Sequence, residues 1–343
     1  MNKLLTIIIP TYNMEKYLDK CLSSLIVSDE NMAFLEVLVI NDGSKDNSSS
    51  IAHGYEKKYP ETFRVIDKEN GNYGSCINVG LAQATGKYVK VLDADDWFDT
   101  VAFESFLTQL KAVESDLILT DYRRVYSSGK LYDKIFGFKP GYEYTTEVMK
   151  ERTFKNLLMH AVTYRLEILK SIEYQQQEGI SYTDQEWVFT PMCKVEKIVY
   201  IKECVYQYLL GREGQTMSYS TIIKNYSHEL LGIKRMAKVY NEKKEFLSDE
   251  VKGYLQWRLM NRLLIVYRLY LLELSPKEKR NEFVEFHNYV KSILPFFSER
   301  VKERRDPIIF LIQRWDKYRV YPNTLQRMLF RCIYRLAIKY NVL

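Results

Sequence analysis

The sequence predicts an α/β protein: a doubly wound, mostly parallel sheet followed by an all-helical part. Three observations predict it. Short apolar, β-branched runs alternate with segments of helical spacing through about the first hundred residues. Each of these runs ends in a cluster of polar residues, and after residue 218 helical periodicity takes over almost entirely. The chain has 343 residues, 46% hydrophobic and 27% charged. That composition excludes a disordered chain, a collagen-like repeat and a disulfide mini-scaffold, and the length suits about two domains.

Residues 4–10 form a continuous apolar run, as a strand buried on both faces does. Residues 15–26 have helical spacing, with Tyr17, Leu18, Cys21, Leu22 and Leu25 on one face. Residues 35–40 read as a second buried strand ending at Asn41-Asp42-Gly43-Ser44, and 47–59 as a helix opened by cap-type residues. Residues 63–67 read as a short strand and 74–85 as a helix with Gly86 as its C-cap. Residues 88–92 form a further strand, ending at Asp93-Ala94-Asp95-Asp96. Beyond it, 116–124 reads as a strand, 126–144 as a hairpin or loop, 147–172 as largely helical, 187–193 as helical and 198–209 as a strand. Helical stretches follow at 222–245, 250–273, 276–294 and 307–340. The expected domains are 1–217 and 218–343.

Charge divides at the same place. Residues 1–214 carry 25 Lys+Arg and 31 Asp+Glu, residues 215–343 carry 25 and 13, and the whole chain is +6. An acidic first part and a basic second part point to different tasks. The five cysteines show no C-x-x-C spacing, so neither a disulfide framework nor a zinc site is expected, and a reducing cytoplasm is the expected compartment. The opening apolar run is too short for a signal sequence. Residues 263–274 come nearest to a membrane span, but Arg268 interrupts them.

Ligands of open α/β sheets bind beyond the carboxyl ends of the strands. Here Pro10-Thr11-Tyr12-Asn13, Asn41-Asp42-Gly43-Ser44 and Asp93-Ala94-Asp95-Asp96 all fall at such ends. Three carboxylates this close repel one another unless a cation or donors compensate. A D-x-D at a strand end suits Mg²⁺ or Mn²⁺, which also bind phosphates. The other reading is a solvated turn with capping Asp residues.

At these residues the sequence resembles family 2 glycosyltransferases of GT-A fold. The resemblance is carried by Leu4 to Asn13, Val37 to Asp46, Asn70-Gly71-Asn72-Tyr73-Gly74-Ser75 with Asn78-Val79-Gly80, and Ala84 through Asp96. It implies an inverting, metal-dependent transfer from a nucleotide sugar. Pro10, Tyr12 and Asp42 would line the nucleobase pocket, Asp93 would lie at the ribose or sugar, Ala94 would contact the nucleotide sugar, and Asp95 would hold the metal. Asn72, Gly74 and Asn78 would lie near the nucleotide. Many members carry an Arg two residues before the position of Asn78; here Cys76 stands there, so the positive charge must come from elsewhere or is absent.

An inverting transfer needs a general base at the acceptor hydroxyl. In Tyr182-Thr183-Asp184-Gln185-Glu186-Trp187, Asp184 matches the family's base, with Thr183 in place of the usual Glu. Asp184 also reads as an N-cap, and Glu186 is its local rival. His160 is either a satisfied structural residue or part of the acceptor or sugar pocket, with Asp96 and Glu186. Residues 211–218, with Arg212 and Gln215, read as a diphosphate clamp or as an ordinary interdomain loop. No Gln-x-x-Arg-Trp motif of processive synthases is present, which favours transfer of a single sugar.

Residues 300–343 carry 11 Lys+Arg and 3 Asp+Glu. Met328, Leu329, Ile333, Leu336 and Tyr340 share a helical face, and Arg327, Arg331, Arg335 and Lys339 recur beside it. Such a helix reads as a binder of anionic membrane surfaces, or as a core helix with a solvated basic face. No base-reading motif accompanies it, so no nucleic-acid partner is expected. The 28 Tyr read as surface residues, sugar-stacking platforms or ordinary core. The expected function is transfer of one hexose, from a UDP-linked donor, to a hydroxyl of a glycan or lipid-linked acceptor. A sugar-phosphate nucleotidyltransferase is the second reading, though the Gly-rich loop it needs after the first strand is missing; a non-catalytic nucleotide-sugar scaffold is the third.

Overall fold

The computed structural model describes residues 2–212, 219–303 and 306–339. The chain forms two compact units, Met1–Gln215 and Thr216–Leu343.

The first unit is built on one sheet of ten strands: β1 (Leu5–Thr11), β2 (Leu35–Asn41), β3 (Phe63–Asp67), β4 (Tyr88–Val91), β5 (Trp97–Phe98), β6 (Leu117–Tyr126), β7 (Leu131–Lys134), β8 (Glu143–Tyr144), β9 (Val162–Arg165) and β10 (Ile198–Leu210). Their order is β3-β2-β1-β4-β9-β6-β10-β5, with β7 beside β6 and β8 beside β10. The first four strands are parallel. Their apolar runs are buried because helices cover the sheet; Ile7, Ile8, Ile9, Val37, Leu38 and Val39 are fully excluded from solvent. Helix Asn72–Gln83 lies tight on β1, where a Cβ on Gly80 would come within 2.5 Å of Ile8.

Strand order reverses at β1. It pairs with β2 through Thr11↔Asn41, but with β4 only as far as Ile8↔Val91. Pro10, which has no N–H to donate, therefore lies past the end of the β4 ladder. The carboxyl ends of β1, β2 and β4 open at this switch point, where open α/β sheets place ligands.

Several expectations are corrected. Residues 147–172 are helical only in short pieces, Thr146–Lys150, Arg152–Lys155, Met159–Ala161 and Leu166–Ser171, and β9 lies among them, running antiparallel between β4 and β6 and making the sheet mixed. Its Val162-Thr163-Tyr164 is β-branched and aromatic and fully buried, so burial in the sheet overrides the surrounding helical pattern. Residues 187–193 are not one helix. A single turn spans Asp184–Trp187 and a 3₁₀ turn Pro191–Cys193, since Pro191 cannot continue a helix. Residues 126–144 hold the β6–β7 hairpin and the short β8.

The second unit is helical among its described residues: Tyr219–Lys224, Tyr226–Lys243, Asp249–Arg268, Pro276–Ile293, Phe296–Arg300, Pro307–Tyr318 and Thr324–Lys339, with a π-helical segment at Leu269–Glu273. The run 307–340 is broken at Arg319, whose φ is +56°, shortly before Pro322. Many tyrosines are core. Tyr254, Tyr267 and Tyr270 are buried, and Tyr267 stacks on Phe297 at 5.3 Å. The Tyr267 hydroxyl finds its partner in His287 Nδ1 at 2.9 Å, as a buried phenol must. No described helix is long and apolar enough to cross a membrane.

Candidate active site

Asp42 follows β2 and is 3% exposed. Its Oδ1 accepts from Lys68 Nζ at 2.6 Å and from the Gly71 N–H at 2.9 Å. Lys68 also donates to Ser75 Oγ at 2.9 Å. The Cys76 thiol is buried and pushed up to about 12 by burial and the Asp42 charge, so it carries no charge there. The cation beside Asp42 is Lys68, from a loop that no motif marks. Tyr12 is half-exposed at the end of β1, beside the partly buried Pro10.

The turn after β4 holds the acidic cluster. Tyr73 Oη donates to Asp93 Oδ1 at 2.8 Å. Burial, and then the Asp95 and Asp184 charges, push the Asp93 carboxyl up to about 7. Asp184 therefore lies within electrostatic reach of Asp93. Ala94 is buried. Asp95 pairs with Arg212 Nε, and the Arg212 guanidinium lies 5.5 Å from the Tyr17 ring centroid. Gln215, the other residue expected in the clamp, lies outside the described residues.

Asp96 does not present an open carboxylate. It is 1% exposed; Oδ2 accepts from Tyr206 Oη at 2.8 Å and Oδ1 from the Leu209 N–H at 2.7 Å. Burial, Asp95 and Asp93 raise its carboxyl well above the ordinary range. Tyr206 Oη also accepts from the Asp93 N–H at 3.1 Å, so β10 grips both ends of the turn.

His160 is buried, with its ring stacked on Tyr208 at 4.0 Å and edge-on to Tyr206 at 4.6 Å. Burial, then Lys90 and Arg124, push it down to about 3, so it is neutral. Lys90 is itself fully buried and donates to the His160 and Val162 carbonyls at 2.8 and 3.2 Å. His160 Nδ1 has no partner among the described residues.

Asp184 is the first helical residue of its short turn; the cap position belongs to Thr183. Thr183 is buried and its Oγ1 accepts from Gln176 Nε2 at 2.9 Å. The Gln176 N–H in turn donates to Asn78 Oδ1 at 2.8 Å, and Asn78 Nδ2 donates to the Gln176 carbonyl at 2.9 Å and Glu178 Oε1 at 2.8 Å. Gly74 allows this segment to close on its helix, since a Cβ there would lie 2.0 Å from the Gln177 carbonyl oxygen. Asn78 and Gly74 thus hold the segment leading to Asp184. Asn72 starts that helix, exposed and with φ +68°. Glu186 is 2% exposed and accepts from the Gln177 N–H at 3.2 Å.

The donor set fits a divalent cation. Asp93, Asp96 and His160 offer ligand atoms within 4.8 Å of one another, but both Asp96 oxygens already accept from Tyr206 and Leu209, so the carboxylates left for a cation are Asp93 and Asp95, the latter now paired with Arg212. Carboxylate oxygens suit Mg²⁺ or Mn²⁺. Two described clefts, of about 650 and 300 Å³, are lined by other segments and hold none of the carboxylates of this turn.

Comparison with known proteins agrees with this architecture. The sequence profile of glycosyl transferase family 2 matches residues 6–172. The uncharacterized glycosyltransferase MG025 homolog of Mycoplasma pneumoniae is 32% identical over 219 residues, 62% of this chain and 70% of that one. The minor teichoic acid biosynthesis protein GgaB of Bacillus subtilis is 24% identical over 302 residues, 86% of this chain but 33% of that one. The crystal structure of S. aureus TarS 1–349 superposes with a TM-score of 0.65 at 21% identity, covering 85% of this chain and 81% of that one, and TarS has also been crystallised with UDP-GlcNAc. A GT-A-like sheet with acidic residues at its switch point, and relatives that are glycosyltransferases, place the chain in one group: it belongs to glycosyl transferase family 2 and is a glycosyltransferase.

Proposed function

We propose that the chain moves a single hexose from a UDP-linked donor to a hydroxyl of a glycan or lipid-linked acceptor, with inversion and with Mg²⁺ or Mn²⁺ bound. The observation that carries this reading is the acidic turn after β4, where Asp93 and Asp95 lie together and Asp184 is close enough to raise the Asp93 carboxyl, with Asp42 at the end of the neighbouring parallel strand β2. The complex of TarS with UDP-GlcNAc and the teichoic acid role named for GgaB support the donor and acceptor classes.

Asp42, oriented by Lys68 and the Gly71 N–H, recognises the nucleobase beside Pro10 and Tyr12. Asp93, fixed by Tyr73, receives the ribose or sugar. Asp95 holds the metal, with Asp93 next to it. When bound, the metal neutralises charge on the departing diphosphate. Arg212 then turns from Asp95 to the diphosphate, for which a guanidinium is a good partner. Asp184 accepts the acceptor hydroxyl proton as that oxygen attacks the anomeric carbon and the nucleoside diphosphate leaves. Asp96, His160 and Glu186 support these groups from behind.

We place the enzyme at the cytoplasmic face of a membrane, drawn there by the basic residues of 300–343. A panel of nucleotide sugars with Mn²⁺, read by thermal shift and by slow donor hydrolysis, tests the enzymatic reading. Stabilisation and hydrolysis of a UDP-sugar support it. Binding without turnover under any acceptor refutes it.

A further inference from the structure

Helix Thr324–Lys339 of the second unit has two unlike faces. Arg327, Arg331 and Tyr334 point into the unit. Arg327 donates to the Leu272 and Leu274 carbonyls at 2.9 and 2.7 Å, and Arg331 pairs with Glu273 at 3.0 Å. These carbonyls lie at the end of the π-helical segment Leu269–Glu273, where helical partners run out, and guanidinium groups satisfy them. Tyr334 is buried and accepts from the Ile308 N–H.

The opposite face is apolar and open. Leu325, Met328, Leu329 and Leu336 fall on one side at helical spacing and are 77%, 58%, 56% and 55% exposed. A helix on the surface of a unit in water normally shows the reverse arrangement, with its apolar stripe inward. Phe310, also exposed, stacks against Phe330 beside this helix. The end of helix Pro307–Tyr318 and the turn after it expose Lys317, Tyr318, Arg319 and Val320. A second copy of the chain is a poor cover for this face, since it would set one segment with 11 Lys+Arg and 3 Asp+Glu against another. A bilayer with anionic headgroups accepts the apolar side chains and complements the charge together.

We propose that helix 324–339 lies in the plane of an anionic bilayer, with Leu325, Met328, Leu329 and Leu336 among the acyl chains and Lys317 and Arg319 at the headgroups. This inference rests on the membrane placement proposed above and names the residues that make it. It differs from a purely basic attachment, because Arg327 and Arg331 are committed inside the unit.

The test is vesicle flotation of the full chain, with phosphatidylcholine alone and with added phosphatidylglycerol. Wild type is expected to float with the anionic vesicles. The Met328→Glu/Leu329→Glu variant is expected to lose roughly tenfold or more in vesicle affinity, with an unchanged melting temperature, because both side chains are exposed. Lys317→Glu/Arg319→Glu is expected to weaken binding most at low salt. If wild type floats and Met328→Glu/Leu329→Glu floats equally well, the apolar stripe is not the contact and this inference alone fails. If wild type floats with no vesicle, the membrane placement fails with it, whereas donor hydrolysis stands or falls separately. Two further results overturn the proposal: a wild-type dimer in sedimentation that the double variant splits, and full displacement from vesicles by soluble polyphosphate.

Discussion

Tyr206 and Asp96 are joined by a 2.8 Å hydrogen bond between residues 110 positions apart. The same phenol oxygen accepts from the Asp93 N–H, so one side chain of β10 sets the shape of the acidic turn. Tyr206→Phe leaves the buried Asp96 carboxylate short of a donor, at a cost of about 1–3 kcal/mol. Melting temperature is expected to fall and donor affinity with it. A variant that melts and binds donor like wild type would show that the turn holds its shape alone.

Asp93 sets an expected pH dependence. Its carboxyl is raised to about 7 in the folded protein, against about 3.9 unfolded. The folded state thus holds this proton more tightly, and the resulting stabilisation is complete below the unfolded value. It is lost as pH rises through about 7. Without divalent metal, the melting temperature of wild type relative to Asp93→Asn is expected to decline from about pH 4 to about pH 8. A flat difference across that range would refute the assignment.

Asp184 and Asp95 are expected to separate in kinetics. Asp184→Asn should lower kcat by roughly 10²–10⁴-fold and leave donor affinity nearly unchanged, as loss of a general base does. Asp95→Asn should weaken donor binding in Mn²⁺ and remove most of its metal dependence, measured by calorimetry. Near-full turnover in Asp184→Asn would move the base role to another group.

Asn78 is expected to act on Asp184 from a distance. Asn78→Ala removes three hydrogen bonds to residues 176 and 178, worth roughly 0.5–1.5 kcal/mol each. Gly74→Ala forces a Cβ against the Gln177 carbonyl. Both variants are expected to lower kcat more than donor affinity, because the displaced segment leads to Asp184, the proposed base. A loss confined to donor affinity would instead put Asn78 at the nucleotide.

Arg327→Ala is expected to destabilise the helical unit by about 1.5–3 kcal/mol, since it removes the charged donor of the Leu274 carbonyl and leaves Leu272 to Arg331 alone. Chemical denaturation of the full chain measures this. A solvated arginine would give no measurable change.

The sequence by itself determined the alternation of strand and helix in the first unit and the acidic ends of β2 and β4. These are local properties: an apolar β-branched run buries as a strand, and Asp with Gly closes it wherever the chain goes next. The tertiary structure decided the rest. β9 exists because β4 and β6 lie on either side of residues 162–165, which no local period reveals. Lys68 stands beside Asp42, 26 positions away, because its loop folds back onto the end of β2. Asp96 stands in a carboxylate triplet that reads uniformly, yet Tyr206 and Leu209 enclose it and leave Asp93 and Asp95 partly exposed. In the last helix the sequence shows a basic row and an apolar row but not their direction. The carbonyls at the end of residues 269–273 draw the arginines inward, because a buried carbonyl without a donor costs more than an exposed leucine does.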